Sequence, residues 1–273
     1  IPGPFTIFRN IHKFPSGHYA SIIDGKMKLK CYWSPEKAIS PKLILNFNEA
    51  KSRMKQLLQD SVKYRLISDV PYGTFLSGGI DSSLVTAVAQ SLQNNRIKTF
   101  SIGFADGKYN EAQHAKKIAG YLQTDHHEFI LSEDDAKKMI PEIFNSYDEP
   151  YADSSAIPTM LVSKMARKYV TVSLSGDGGD ELFHGYGAYN WAKRLSEPFI
   201  TSIRKPTGFF MSMMSNRYKR AAQLFKYPDK EQIRSHIFSQ EQYFFSRKEI
   251  AELLSDYDES HFSLIVDCRY HTG

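Results

Sequence analysis

Two short stretches concentrate side chains that could do chemistry. "SGGIDSS", Ser77 to Ser83, puts two glycines, one carboxylate and three hydroxyls into seven residues. "SLSGDGGDELF", Ser173 to Phe183, sets Asp177, Asp180 and Glu181 among Gly176, Gly178 and Gly179. In the first, Gly78 and Gly79 let the backbone turn tightly and bring N–H groups close to an anion. Ile80 to Ser83 then form a first helical turn, whose free N–H groups and dipole attract negative charge. Ser77, Ser82 and Ser83 add hydroxyl donors. Asp81 repels phosphate unless a cation lies between them, and magnesium, which favours carboxylate and phosphate oxygen, fits that place. The second stretch suggests a further magnesium ligand and a proton acceptor. No Lys follows the glycines of the first stretch, so the GxxxxGK[ST] loop is not met and transfer of a γ-phosphate is disfavoured. The plainer alternatives are an ordinary strand–turn–helix and a solvated acidic turn capping a helix. Two such stretches, with more Gly and acidic residues than a turn needs, weigh against both.

The flanking pattern must hold these loops in place. "GTFLS" is strand-like and "SSLVTAVAQSL" helix-like; "IKTFSIGF" and "EAQHAKKIAGYL" repeat the pair. "HHEFIL" is a strand, "SEDDAKKMIPEIFNSY" and "SAIPTMLVSKMARK" are helical, and "VTVSLS" is a strand. Strands alternating with helices predict βαβ units, hence an α/β fold with a parallel sheet flanked by helices on both faces. Ligands in such sheets bind beyond the carboxyl ends of the strands, where both stretches fall. Upstream, "FPSGH" and "DGK" break β-rich runs into short strands, two prolines mark a linker near Ser34 to Lys42, and apolar spacing from Leu45 to Leu66 predicts an amphipathic helix. Beyond Tyr189 the pattern is helical and basic-aromatic.

Bulk properties limit the function classes. With 273 residues the chain makes one large domain or one domain and an appendage. A net charge of +5 suits an anionic ligand without arguing for nucleic acid. No apolar run reaches the roughly 20 residues of a membrane span. Cys31 and Cys268 stand apart, outside any CxxC spacing, which fits a reducing compartment and gives neither a disulfide framework nor a zinc site. His126 and His127 lack a partner at ligand spacing and read as ordinary strand histidines. The Met211 to Met214 cluster reads as core or a helix contact, and Asn216 to Pro228 as a solvated amphipathic helix rather than a nucleic-acid face.

With both loops in hand, the chain resembles the synthetase domain of glutamine-dependent asparagine synthetases of the bacterial B type, over nearly its whole length. "SGGIDSS" resembles the family's pyrophosphate loop and "FSIGF", Phe100 to Phe104, the strand that contacts adenine. "DHHEF", "YDEPYADSSAIPTMLVSKMARK" and "SGDGGDELFHGY" follow in the family's order, and "KFPSGHY" resembles the last strands of the preceding glutaminase domain. The resemblance implies a PP-loop ATP pyrophosphatase fold of the adenine nucleotide α-hydrolase type, with a helical C-terminal part. It also implies adenylation of an aspartate carboxylate by ATP, release of pyrophosphate, and amidation by glutamine-derived ammonia. Carried over by position, Ser77, Gly78, Gly79, Asp81, Ser82 and Ser83 hold pyrophosphate; Leu76, Ile102, Ser175 and Gly176 contact adenosine; Asp81 and Asp180 hold Mg2+; and Asp177 takes part in the chemistry. Asp177 is one methylene shorter than the Glu many members carry. The expected partners are aspartate and ammonia, with no nucleic acid and no membrane, in the cytoplasm, with a homodimer as one expected assembly. The same chemistry on a sugar acid or a β-lactam precursor, and a non-catalytic nucleotide-binding module, remain alternatives.

The resemblance also implies a division into residues 1–40, the end of a glutaminase domain plus linker, and 41–273, a synthetase domain cut at its C-terminus. The family's nucleophilic N-terminal Cys and its downstream Lys are not matched, since the chain opens on Ile1 and ends on "DCRYHTG". These 273 residues are therefore expected to bind ATP while catalysing poorly, and not to hydrolyse glutamine. Glutamate release that depends on Cys31 or Cys268, measured on purified protein, would overturn this.

Overall fold

The computed structural model describes residues 3–39, 45–104, 111–150, 153 and 155–225. Contacts divide the chain into two compact units, one ending at Gly178 and the other beginning at Gly179, each described by itself.

The first unit opens with β1 (His18–Ile23) and β2 (Lys26–Cys31), an antiparallel hairpin in which Ile23 pairs with Lys26. Its turn is Asp24-Gly25, both at positive φ, the backbone that matches strand twist in a two-residue loop. The expected linker contains a short helix, α1 (Pro35–Ile39). Pro35 read as a breaker, yet proline suits the first helical position, where no N–H is needed. Helix α2 (Phe47–Arg65) begins at a reciprocal cap: Asn46 accepts from the Glu49 N–H at 2.9 Å, and Glu49 accepts from the Asn46 N–H at 3.2 Å.

Then β3 (Tyr72–Phe75), α3 (Ile80–Ser91), β4 (Lys98–Phe104), α4 (Ala112–Leu122), β5 (Asp125–Leu131), α5 (Glu133–Ser146), α6 (Ala156–Ala166) and β6 (Val172–Leu174) follow. All four strands are parallel, in the order β5-β4-β3-β6. The chain steps outward from β3 to β5, then returns to lie on the other side of β3. Right-handed crossovers put α3 and α4 on one face and the returning α5 and α6 on the other. The register shows it. Thr74 pairs with Thr99 and Phe75 with Phe100. The threonines face α3 and α4, while both phenylalanines pack with Val162, Ala166 and Val170. Buried hydroxyls find one another: Thr74 with Thr86 of α3 at 2.9 Å, Thr99 with Thr124 at 3.0 Å. Unpaired, each would carry a desolvation penalty. Leu76 packs on Ala115 and Ala119 of α4, and Val62 of α2 on Val88 and Ala89 of α3.

In the second unit, α7 (Gly179–Phe183) precedes α8 (Gly187–Leu195), α9 (Pro198–Ser212) and α10 (Asn216–Gln223). Ala192 and Leu195 form its core with Ile200, Leu224 and Phe225. Met213 and Met214 are exposed rather than packed as expected, because α9 ends at Ser212 and they fall in the turn before α10. Residues 226–273, with the end of the basic-aromatic stretch and Cys268, lie outside the described residues.

His126 sits on the α3–α4 face with Nδ1 2.8 Å from Thr99 Oγ1 and Nε2 3.4 Å from Ser101 Oγ. Burial holds its pKa below the usual 6.5; Glu128 opposes this, and the nearby charges of His127 and Lys116 add to it. The unfolded chain therefore binds the proton more readily. The stabilisation is present above the unfolded pKa and lost as pH falls through the folded one. Urea midpoints should decline between about pH 7 and pH 5, and His126→Gln should flatten that decline. An equally steep decline in the variant would exclude His126 as its source.

Candidate nucleotide site

Strands β3 and β6 are neighbours in the sheet but were reached from opposite directions, so the strand order reverses between them. Such a switch point leaves a crevice beyond the carboxyl ends of the strands. The segments leaving β3 and β6 are the two stretches singled out in the sequence.

After β3, Leu76 still donates its N–H to the Phe100 carbonyl at 2.8 Å, and the residue is only 1% exposed. Gly78 then turns at φ +86, and a Cβ there would stand 2.8 Å from the Ala115 nitrogen and 2.8 Å from the His114 Cβ. The turn needs glycine both for its dihedral and for its closeness to α4. Gly79 caps α3 without a side-chain bond. The N–H groups of Ile80 and Asp81 have no acceptor within the helix, as at any helix start.

The three hydroxyls expected to face an anion tie the loop together. Ser77 Oγ lies 2.9 Å from Ser82 Oγ and accepts from the Gly79 N–H at 3.2 Å. Ser82 Oγ accepts from the Ser77 N–H at 3.2 Å, and the Ser83 hydroxyl donates to the Gly79 carbonyl. The loop is thus preformed around backbone donors. Asp81, in the first turn, is half-buried and makes no hydrogen bond or ion pair to another described residue.

After β6, Ser175 donates its hydroxyl to Asp177 Oδ2 at 2.8 Å. Gly176 passes against the first turn of α3, where a Cβ would meet the Ser82 nitrogen at 2.6 Å and the Asp81 carbonyl carbon at 2.9 Å. The structure therefore brings Ser175 and Gly176 to Asp81 and Ser82. Ile102 lies in the carboxyl half of β4, paired with Phe129. Residues 105–110 beyond it are outside the described set.

Asp180 and Glu181 open α7 in the second unit. Glu181 accepts a hydrogen bond from the Tyr186 phenol at 2.5 Å. That bond, helped by burial, pushes the phenol up to about 12; the same bond holds the Glu181 carboxyl below its ordinary range, against a smaller opposing effect of burial. The Asp180 carboxylate has no hydrogen-bond partner among the described residues, and Gly185 stands beside it, its N–H donating to the Asp180 carbonyl at 3.0 Å. Gly185 and Tyr186 were missed by residue-by-residue reading. The signal was "HGY" closing the acidic run, which becomes meaningful only once the chain folds back on α7.

No group of three or more His, Cys, Asp or Glu gathers as a metal cluster among the described residues. Magnesium at a nucleotide needs only one or two carboxylates besides phosphate oxygens, and Asp81 in the first unit and Asp180 in the second are each, taken singly, a hard oxygen donor chemically suited to that ion. His126 and His127 serve the sheet. His127 stacks on Phe100 with centroids 5.5 Å apart and meets the Tyr169 ring at a tilt with centroids 4.2 Å apart, and its Nε2 lies 3.4 Å from Asp125 without an aligned hydrogen bond.

Comparison with known proteins bears on the same residues. A Methanocaldococcus jannaschii protein, provisionally described as glutamine-hydrolyzing asparagine synthetase 2, is 42% identical over 206 residues, covering 75% of this chain and 39% of that one. Glutamine-hydrolyzing asparagine synthetase 1 of Bacillus subtilis is 37% identical, covering 69% and 29%. Asparagine synthetase B of Escherichia coli is 28% identical, covering 73% and 38%. The chain thus spans well under half the length of these relatives. Among solved structures, an NH3-dependent NAD synthetase from Campylobacter jejuni superposes with a TM-score of 0.38 at 13% identity, covering 78% of this chain and 99% of that one. The asparagine synthase family model matches residues 53–270, which takes in both glycine loops and the strands that carry them. With that match over most of its length, this chain belongs to the asparagine synthase family.

Proposed function

We propose that the chain carries the ATP-using part of glutamine-dependent asparagine synthesis. The observation that carries this reading is the meeting of two glycine loops at the switch point of the sheet, where Gly176 lies against the open first turn of α3. A nucleotide's phosphates suit backbone N–H groups at a helix start better than any neutral ligand does. The names of the relatives, glutamine-hydrolyzing asparagine synthetases, supply the acid and the nitrogen source.

In this reading a carboxylate oxygen of the aspartate side chain attacks the α-phosphorus of ATP, and the bond to pyrophosphate breaks. Ammonia then attacks the acyl carbon, the acyl–oxygen bond to AMP breaks, and a proton leaves nitrogen. The loop from Ser77 to Ser83 binds pyrophosphate through backbone N–H groups, while Leu76, Ile102, Ser175 and Gly176 border the adenosine. Asp81 and Asp180 are the residues that would hold Mg2+, which would neutralise charge on the departing pyrophosphate. Asp177, oriented by Ser175, is assigned the proton. Residues 1–40 are assigned to the end of an ammonia-supplying domain. A cytoplasmic location and a homodimer belong to the same proposal.

Pyrophosphate release by the complete gene product, supplied with ammonium and with aspartate, a sugar acid or a β-lactam precursor, tests the function. Preference for another acid would keep the chemistry and replace the substrate; ATP binding without release for any acid would leave a nucleotide-binding module.

Substitutions test the residues. Asp81→Asn should weaken magnesium-dependent ATP binding by about 1–3 kcal/mol, a charged-hydrogen-bond-sized loss, in calorimetry. Asp177→Asn should leave that binding nearly intact and slow turnover by roughly 10²–10⁴-fold, the range of a positioned proton-transfer group. Equal affinities of wild type and Asp81→Asn with magnesium present would remove the metal role of Asp81; wild-type binding and turnover of both Asp177→Asn and Asp180→Asn would reduce the acidic stretch to a solvated helix cap.

A further inference from the structure

The second acidic stretch holds three carboxylates with different surroundings. Asp177 accepts from the Ser175 hydroxyl, and Glu181 from the Tyr186 phenol. Asp180 has no such partner among the described residues. Its carboxylate occupies space that Gly185 leaves open: a Cβ on residue 185 would stand 1.8 Å from Asp180 Oδ1. The chain reaches this position through His184, in the left-handed region at φ 58, whose ring packs on Tyr189 with centroids 4.5 Å apart. The Gly185 N–H then closes back on the Asp180 carbonyl.

Adjacent carboxylates compete for a hard cation, since either can supply oxygen. A carboxylate that already accepts a hydroxyl proton at hydrogen-bond length must give up a hydrogen bond to a charged group before it can coordinate. A phenol is suited to this tethering. It is a neutral donor, so it occupies Glu181 without adding the positive charge that a Lys or Arg would set against a metal.

We propose that Tyr186 and Gly185 are positioning residues that reserve Asp180 for the metal. Tyr186 ties Glu181 away from the coordination set, and Gly185 leaves the Asp180 carboxylate its room. The inference rests on Asp180 being a magnesium ligand, as proposed above.

Binding of Mn2+ to the 273-residue chain in the presence of ATP, followed by the paramagnetic resonance signal of the free ion, tests it, with melting temperatures recorded alongside. Tyr186→Phe should weaken Mn2+ binding by roughly tenfold, the scale of one hydrogen bond to a charged group. Gly185→Ala should weaken it further. Glu181→Gln, whose amide oxygen still accepts from Tyr186, should bind like wild type. A merely structural role would lower the melting temperatures and leave the affinity of the folded protein unchanged. If Asp180→Asn loses Mn2+ while Tyr186→Phe and Gly185→Ala keep it, positioning is overturned and the ligand assignment stands. If Glu181→Gln loses as much as Asp180→Asn, Glu181 is itself a ligand and the inference fails. If Asp180→Asn binds like wild type, the ligand assignment fails and takes the inference with it.

Discussion

At Gly176 the chain leaving β6 runs so close to the first turn of α3 that a methyl group would sit 2.6 Å from the Ser82 nitrogen. At Gly78 the chain leaving β3 lies equally close to α4. The absence of a side chain at these two positions is the constraint on which the site depends. With a Cβ at either, one loop would have to withdraw, and the crevice between β3 and β6 would no longer be lined by backbone donors from both sides. The serine network of the first loop follows from this closeness: Ser77 and Ser82 bond each other because the turn between them is tight.

The sheet beneath is built to keep those turns fixed. On the α3–α4 face, hydroxyl pairs add to apolar contacts: Thr74 bonds Thr86 and Thr99 bonds Thr124 and His126, while Leu76 packs on Ala115 and Ala119 and α3 keeps Val88 and Ala89 in an apolar cluster. A hydroxyl pair buried away from water has directional preferences that an apolar contact lacks, so the Thr74–Thr86 pair helps set the height of α3 over β3 as well as their adhesion. On the opposite face Phe75, Phe100 and Phe129 pack with Val162 and Ala166 of α6.

The acidic stretch shows a second use of hydrogen bonding. In sequence, Asp177, Asp180 and Glu181 are three equivalent acids in one run. In the fold, Ser175 takes up the first and Tyr186 the last, and the carboxylate of Asp180 alone keeps no hydrogen-bond partner among the described residues. Equal residue types acquire different chemistry because each meets a different neighbour, here a hydroxyl two positions before Asp177 and a phenol five positions after Glu181.

The elements and the two loops were legible in the sequence because they are local. Alternating apolar runs set the strands, Asp24-Gly25 the hairpin, Asn46 and Glu49 the start of α2, and paired glycines before a helical pattern the turn after β3. Pro35 misled, because the same ring that ends one helix begins another. Three things were decided only by tertiary structure. The return of β6 to the side of β3 brings the loops together, and no local pattern encodes which strand is whose neighbour. The burial of Leu76 against Ala115 and Ala119 of α4 is the second, since a side chain's exposure depends on elements distant in sequence. The pairing of Glu181 with Tyr186 comes with a left-handed residue at His184, whose ring also packs on Tyr189; histidine tolerates that conformation, but which acid the returning chain meets depends on how it folds back.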